Sequence, residues 1–228
     1  VGGCVRDALL EYSSPYLDLD FVLPQQTVQT ANAIACHYHA GFVVLDEERQ
    51  IARVVFDGAT ADFALQVGAT LLEDLHRRDF TINAIAYSPH TQTLVDPLGG
   101  QRDLEQRVLR MVSVENLADD PLRLLRAYRQ AAQLDFSIDE ETRLQLRRLA
   151  PLLSRVAPER IRTELSYLLS HAAGSQWLKT LWQDGLLQSS FSAATAQGLD
   201  RIAEMDRVEI GITACWPQLE SLLHRTLS

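Results

Sequence analysis

With 228 residues, 46% of them apolar and 22% charged, the chain is long enough to bury a core without disulfides or a structural metal. No apolar run approaches the length of a membrane span, the start carries no signal-peptide pattern, and three scattered cysteines (Cys4, Cys36, Cys215) fit a reducing cytosol better than a disulfide framework. The net charge of −9 argues against nucleic acid only as an average, because binding depends on local patches and the basic residues are almost all arginine.

In chain order, Val1–Leu10 reads as a glycine turn entering a short helix, Leu17–Leu23 as a strand and Thr27–His39 as a helix. Phe42–Leu45, Ile51–Phe56 and Thr60–Leu65 read as short strands between charged or glycine-containing turns. Leu71–Ala86 suggests a helix capped by Thr70, and Thr93–Val95 a last strand before the turn Asp96-Pro97-Leu98-Gly99-Gly100. After residue 115 the strand pattern gives way to helical periodicity over Leu117–Leu134, Glu140–Leu149, Pro158–Ser170 and Gln176–Gln183, with more helix towards Leu227. The expectation is an α+β head with a small mixed or antiparallel sheet, residues 1–112, followed by an all-helical part. The chain opens on Val1 and enters its glycine motif at once, so it is read as part of a longer protein.

Three elements in the head point to chemistry. In Asp18-Leu19-Asp20, residues i and i+2 of a strand share a face about 6.5–7 Å apart. Two carboxylates so placed can share divalent ions held about 3.5–4 Å apart. Gly2-Gly3-Cys4-Val5-Arg6-Asp7 lets backbone approach an anion at a helix start, with Arg6 one turn inside as a charged donor. A D-x-D pair or a glycine turn alone would more often be a solvated acidic pair or an ordinary turn. The lone lysine, Lys179, stands outside any G-x-x-x-x-G-K pattern, so no Walker-type phosphate loop is present. His37 and His39 have no second ligand pair nearby and read as surface residues at a helix end.

The third element is Arg77-Arg78-Asp79-Phe80-Thr81-Ile82-Asn83-Ala84. With it, the order of motifs resembles the class II, bacterial-type tRNA nucleotidyltransferase and poly(A) polymerase family, from Val1 to roughly Leu169. The resemblance implies a polymerase-β-like catalytic head. Asp18 and Asp20 would hold two Mg²⁺ ions, and Asp62 would be the third carboxylate, helping to deprotonate the attacking 3′ hydroxyl; Asp57 is the rival for that place. Gly2, Gly3 and Arg6 would meet the triphosphate, and Arg78, Asp79 and Asn83 would lie beside the phosphates and ribose. Asp96 to Gly100 with Asp103 resembles a connecting motif of structural role.

The segment Asp119-Asp120-Pro121-Leu122-Arg123-Leu124-Leu125-Arg126-Ala127-Tyr128-Arg129 has an independent physical reading. At 100° per residue from Asp120, Leu124, Leu125, Tyr128, Ala131 and Ala132 fall between about 20° and 140°, and Arg129, Arg126 and Arg123 between about 180° and 300°. One side is core and the other a band of guanidinium groups ending at a carboxylate, which alone would read as a solvated face with ion pairs. The spacing matches the family's E-D-x-x-R motif with Asp119 in place of Glu. The resemblance makes Asp120 and Arg123 the pair that selects the incoming base, with Arg126 and Arg129 contacting phosphate or backbone. A carboxylate acceptor beside a guanidinium donor suits the edges of cytosine and adenine and faces uracil or guanine with a carbonyl. Pro158-Glu159-Arg160-Ile161-x-x-Glu164-Leu165 resembles the family's last motif, read as helix packing.

The expected division is thus a head at 1–112, a helical neck at 113–155 and the start of a helical, RNA-binding body at 156–228. The expected activity is template-independent transfer of CMP, and of AMP where the enzyme completes CCA, to the 3′ end of tRNA in the cytoplasm, with no membrane partner. Only Phe63–His76 separates Asp62 from Arg77, a short segment that the resemblance associates with enzymes adding C-C alone. Glu11 stands where the family often has Gly. The alternatives are a poly(A) polymerase, a small-molecule nucleotidyltransferase, which would not need the arginine band, and a catalytically inactive RNA-binding module, against which the intact Asp18, Asp20 and Arg78 argue.

Overall fold

The computed structural model describes residues 1–12, 16–171, 174–188, 191, 193 and 195–215. They form two compact units: residues 1–106 with 110–113, and residues 107–109 with 114 onward.

The first unit is built on a four-stranded sheet of order β1-β4-β3-β2, from β1 (Leu17–Leu23), β2 (Gly41–Asp46), β3 (Ile51–Phe56) and β4 (Ala59–Leu65). β1 pairs with β4 in parallel, while β4, β3 and β2 follow as an antiparallel meander. Strict alternation gives this sheet two unlike faces. Ala52, Val54, Ala61 and Phe63, with Leu19 and Leu23 beside them, pack against Ala31 and Ala35 of the helix α2 (Thr27–Tyr38). The positions between them carry Asp18, Asp20, Thr60, Asp62 and Arg53 onto the opposite face. Helix α1 (Gly3–Leu9) precedes β1 in the chain.

The helix expected over Leu71–Ala86 is corrected. Thr70 does cap a helix, its hydroxyl accepting from Glu73 N at 3.3 Å, but α3 covers only Leu71–His76. The chain then straightens: Phe80 bridges Met111, and Thr81 N and Val112 N bond across the two segments to Arg110 O and Asp79 O. A single 3₁₀ turn follows at Thr81–Asn83, and Ala86–Ser88 forms β5, paired with β6 (Thr93–Val95). Long-range pairing has overridden local helix propensity here. Helix α4 (Gly100–Glu105) begins under Asp96, whose carboxylate accepts from Gly100 N and Gln101 N at 2.7 and 2.9 Å. Asp103, 1% exposed, accepts from Thr81 Oγ1 at 2.7 Å and Arg110 Nε at 3.2 Å.

The second unit is mostly helical: α5 (Val114–Asp119), α6 (Leu122–Leu134), α7 (Glu140–Leu149), α8 (Pro158–Leu169), α9 (Gly174–Gln183) and α10 (Ala196–Cys215). Two corrections apply. Strands do not vanish after residue 115, because β7 (Val108–Leu109) pairs in parallel with β8 (Ser137–Ile138). Nor does one helix run through Leu117–Leu134, because Asp120-Pro121 breaks it and Pro121 lacks the N–H needed to continue the ladder. The apolar side of α6 is core as its periodicity predicts: Leu124, Leu125, Tyr128, Ala131 and Ala132 are all buried. α6 packs on α8 and α9. The expectation of helix continuing to Leu227 lies, beyond Cys215, outside the described residues. Among the described residues no helix is long and apolar enough to cross a membrane.

Candidate active site

The parallel pairing of β1 with β4 sets Asp18 opposite Thr60 and Asp20 opposite Asp62. Three carboxylates therefore share one sheet face. Thr60 Oγ1 donates to Asp18 Oδ1. Arg53, opposite Asp62 on β3, donates to both its oxygens, from Nε at 2.6 Å and Nη2 at 2.7 Å. Between these two satisfied groups, burial pushes the Asp20 carboxyl above the ordinary range; the charges of Asp18 and Asp62 add to the rise, and the amino terminus and Arg78 oppose it. Concentrated negative charge of this kind is what a bound cation relieves. Asp57 lies in the β3–β4 turn, away from this register.

The glycine motif lies against Asp20. Val1 N donates to Asp20 O at 2.7 Å, and Gly2 N to Ile85 O at 3.0 Å. Gly2 has φ +72, and a Cβ there would stand 2.8 Å from Arg78 Nη1 and 3.6 Å from Asp20 Oδ2. The left-handed backbone is what favours glycine at this position, and a Cβ there would also push the Arg78 guanidinium off its present place. Gly3 opens α1.

Arg78 Nη2 donates to Asp74 Oδ2 at 3.3 Å, beside Asp20. Arg6 donates from Nη1 to Asn83 Oδ1 at 2.8 Å and from Nε to Asp7 Oδ1 at 2.7 Å. Asn83 Nδ2 in turn donates to Asp79 Oδ1 at 2.9 Å, which also accepts from Phe80 N at 2.8 Å. Asp79 and Asn83 are each 6% exposed. They are the buried tie between the Arg77–Ala84 segment and α1, holding Arg6 in place. The structure thus connects Gly2, Arg6, Asp20, Arg78, Asp79 and Asn83 into one network beside Asp18 and Asp62.

Asp120, Arg123, Arg126 and Arg129 belong to the second unit. Asp120 Oδ1 accepts from Leu122 N at 3.3 Å, and Arg123 Nη1 donates to Asn116 O at 3.1 Å, so both ends of the pair are anchored at the start of α6. Arg129 Nε donates to Glu164 Oε2 on α8 at 2.6 Å, with Arg126 Nη1 3.9 Å from Glu164 Oε1.

Sequence reasoning passed over Arg53, although an arginine amid Ile51–Phe56 on the carboxylate-bearing phase of the strand was a usable clue. It also passed over Asp184, whose carboxylate accepts from Tyr128 Oη at 2.7 Å, Arg143 Nε at 2.7 Å and Arg147 Nε at 2.7 Å. No spacing near residue 184 announces those partners. Among the described residues no ready-made cluster of three or more histidine, cysteine or acidic ligands closes on a metal position.

Two family models match the chain: "Poly A polymerase head domain" over residues 59–110, and "Probable RNA and SrmB- binding site of polymerase A" over residues 135–197. A CC-adding tRNA nucleotidyltransferase of Synechocystis sp. is 56% identical over 206 residues, covering 90% of this chain and 50% of that protein. Another of the same description, from Geobacter sulfurreducens, is 44% identical over 211 residues, covering 92% of this chain and 49% of that protein. The chain spans about half the length of these curated relatives. The crystal structure of a tRNA nucleotidyltransferase complexed with a primer tRNA and an incoming ATP analog superposes with a TM-score of 0.83 at 28% identity, over 96% of this chain and 66% of that one.

Proposed function

Since the chain belongs to the tRNA nucleotidyltransferase and poly(A) polymerase family, with its polymerase-β-like head, we propose that its protein transfers nucleotides from CTP to the 3′ end of tRNA without a nucleic-acid template. The observation that carries this is the shared sheet face of Asp18, Asp20 and Asp62, bordered by Gly2 and Arg78. We read residues 1–112 as head, 113–155 as neck and 156–228 as the start of the RNA-binding body. We place the reaction in the cytoplasm.

Family members generally use divalent metals, and the donor set here fits one. Asp18 and Asp20 offer hard oxygen ligands, and the burial that raises the Asp20 carboxyl is a cost that a cation offsets. We assign two Mg²⁺ ions to this pair. Bound there, they would neutralise triphosphate charge and make the 3′ hydroxyl a better nucleophile.

The chain's own residues do the rest. Gly2 and Gly3 admit the triphosphate close to backbone, and Arg6 and Arg78 give it charged donors. Asp79 and Asn83 keep Arg6 aligned and border the ribose. Asp62 helps to take up the attacking hydroxyl's proton, and Arg53 orients it. Asp120 and Arg123 read the base, with Arg126 and Arg129 supporting the phosphate path.

We infer CC addition in particular, from the short Phe63–His76 segment and from the description of both relatives. Labelled CTP and ATP, supplied separately and together to tRNA ending before its C-C-A, test the proposal. Two C residues and no A are expected. Efficient terminal A addition overturns the CC assignment, and long A tracts on single-stranded RNA support the poly(A) polymerase alternative.

A further inference from the structure

α8 answers the polar side of α6 with opposite charges in matching order. Asp120 precedes α6, and Arg126 and Arg129 follow on it; α8 presents Arg160 to the first and Glu164, one turn later, to the other two. The two ends differ in burial. Arg129 and Glu164 side chains are 15% and 9% exposed, whereas Arg160 and Asp120 are 53% and 37% exposed.

The buried end is enough to set the register of the helices. The solvated end adds little stability, because exposed ion pairs seldom do. Its geometry is nevertheless specific: Arg160 Nη2 stands 3.3 Å from one Asp120 oxygen and 3.5 Å from the other, so one donor bridges the carboxylate. Leu122 N, at 3.3 Å, holds the same group from the backbone side. A carboxylate has about four acceptor sites, so these two donors leave room for a base amino group.

We propose that Arg160 is a positioning residue for nucleotide selection, bracing Asp120 so that it cannot turn away from an unsuitable base. This rests on the reading of Asp120 as the base-selecting carboxylate. A cytosine amino group meets a carboxylate already aimed. Uracil places a carbonyl against the same fixed oxygens, and the brace keeps Asp120 from rotating into solvent to escape the repulsion. Without Arg160 the carboxylate can swing, which weakens the preference for cytosine and the exclusion of uracil together.

The test uses the protein at its natural length, with CTP and UTP competing for tRNA ending before C-C-A. Arg160→Met keeps the stem length and removes the donors; Arg160→Gln is a second variant, and melting confirms that each is folded. The CTP-over-UTP ratio should fall roughly two- to fivefold in both, chiefly through a higher KM for CTP, and Arg160→Lys should recover part of it. A purely packing role would lower both incorporations alike and leave the ratio where it was. Asp120→Asn, run in parallel, separates the two claims. If it collapses the ratio while both Arg160 variants retain it, the bracing role is wrong and the base-selecting reading stands. If Asp120→Asn also retains the ratio, both fall.

Discussion

At the scale of single residues, the acidic sheet face carries an electrostatic cost in the folded protein. Asp20 is half-buried beside two other carboxylates and its pKa is raised, so its ionised form is less favourable in the folded protein than in the unfolded chain. A group shifted upward contributes stability below its unfolded pKa and loses it as pH rises through the folded value. Near neutrality in EDTA, Asp20→Asn should therefore melt no lower than the parent and somewhat higher, while losing incorporation; a clear drop in the thermal midpoint would contradict this account of the site's strain. Arg53 acts oppositely. Its bond to Asp62 holds its proton well above the usual range, and Arg53→Gln leaves Asp62 without its fork. On the role proposed for Asp62, that variant should lose about tenfold or more in kcat with a smaller change in KM for CTP.

Elements set where those residues act. α6 starts at Leu122 because Asp120-Pro121 interrupts the helix, and that interruption frees Asp120 to sit at the helix entrance instead of inside a turn. Farther along, the buried Arg129–Glu164 bond is charge-assisted at 2.6 Å. Glu164→Gln should destabilise the helical unit by about 1–3 kcal/mol, measured by urea unfolding; an unchanged midpoint would show the pair to be dispensable. The same elements show what could be read in advance. The alternation of Asp18 and Asp20, the glycine pair, the buried face of α6 and the Thr70 cap are local patterns, and each was legible because its cause lies within one or two turns of sequence. Local propensity reads residues 77–86 as helix because their conformation depends on Arg110, Met111 and Val112, a separation that propensity does not sense. The Arg53–Asp62 fork needed the β3–β4 register, and the Tyr128–Asp184 bond spans 56 positions. Local patterns show in the sequence, and long-range partners such as these do not.

On the scale of the whole molecule, each unit is held together by its own buried polar contacts. In the helical unit Asp184, only 5% exposed, joins Tyr128 of α6 to Arg143 and Arg147 of α7. Burial pushes its carboxyl up, but the three hydrogen bonds outweigh burial and hold it below the ordinary range, while Tyr128 is driven upward. A lowered carboxyl contributes stability above its unfolded value, about 3.9, and loses it as pH falls through the folded value. The melting midpoint should thus hold steady near neutrality and drop in strong acid, with Asp184→Asn flattening that acid limb. Tyr128→Phe should cost about 1–2 kcal/mol, since the acceptor left behind is buried. In the head, everything converges on the acidic face of the sheet. The most direct measurement is the single-turnover rate of labelled CMP transfer to tRNA lacking its 3′ end, comparing the parent with Asp20→Ala at equal folded fraction. With Asp20 holding a metal as proposed, a loss of about a thousandfold or more is expected. A folded Asp20→Ala protein that still transfers CMP at near the parental rate would contradict the account.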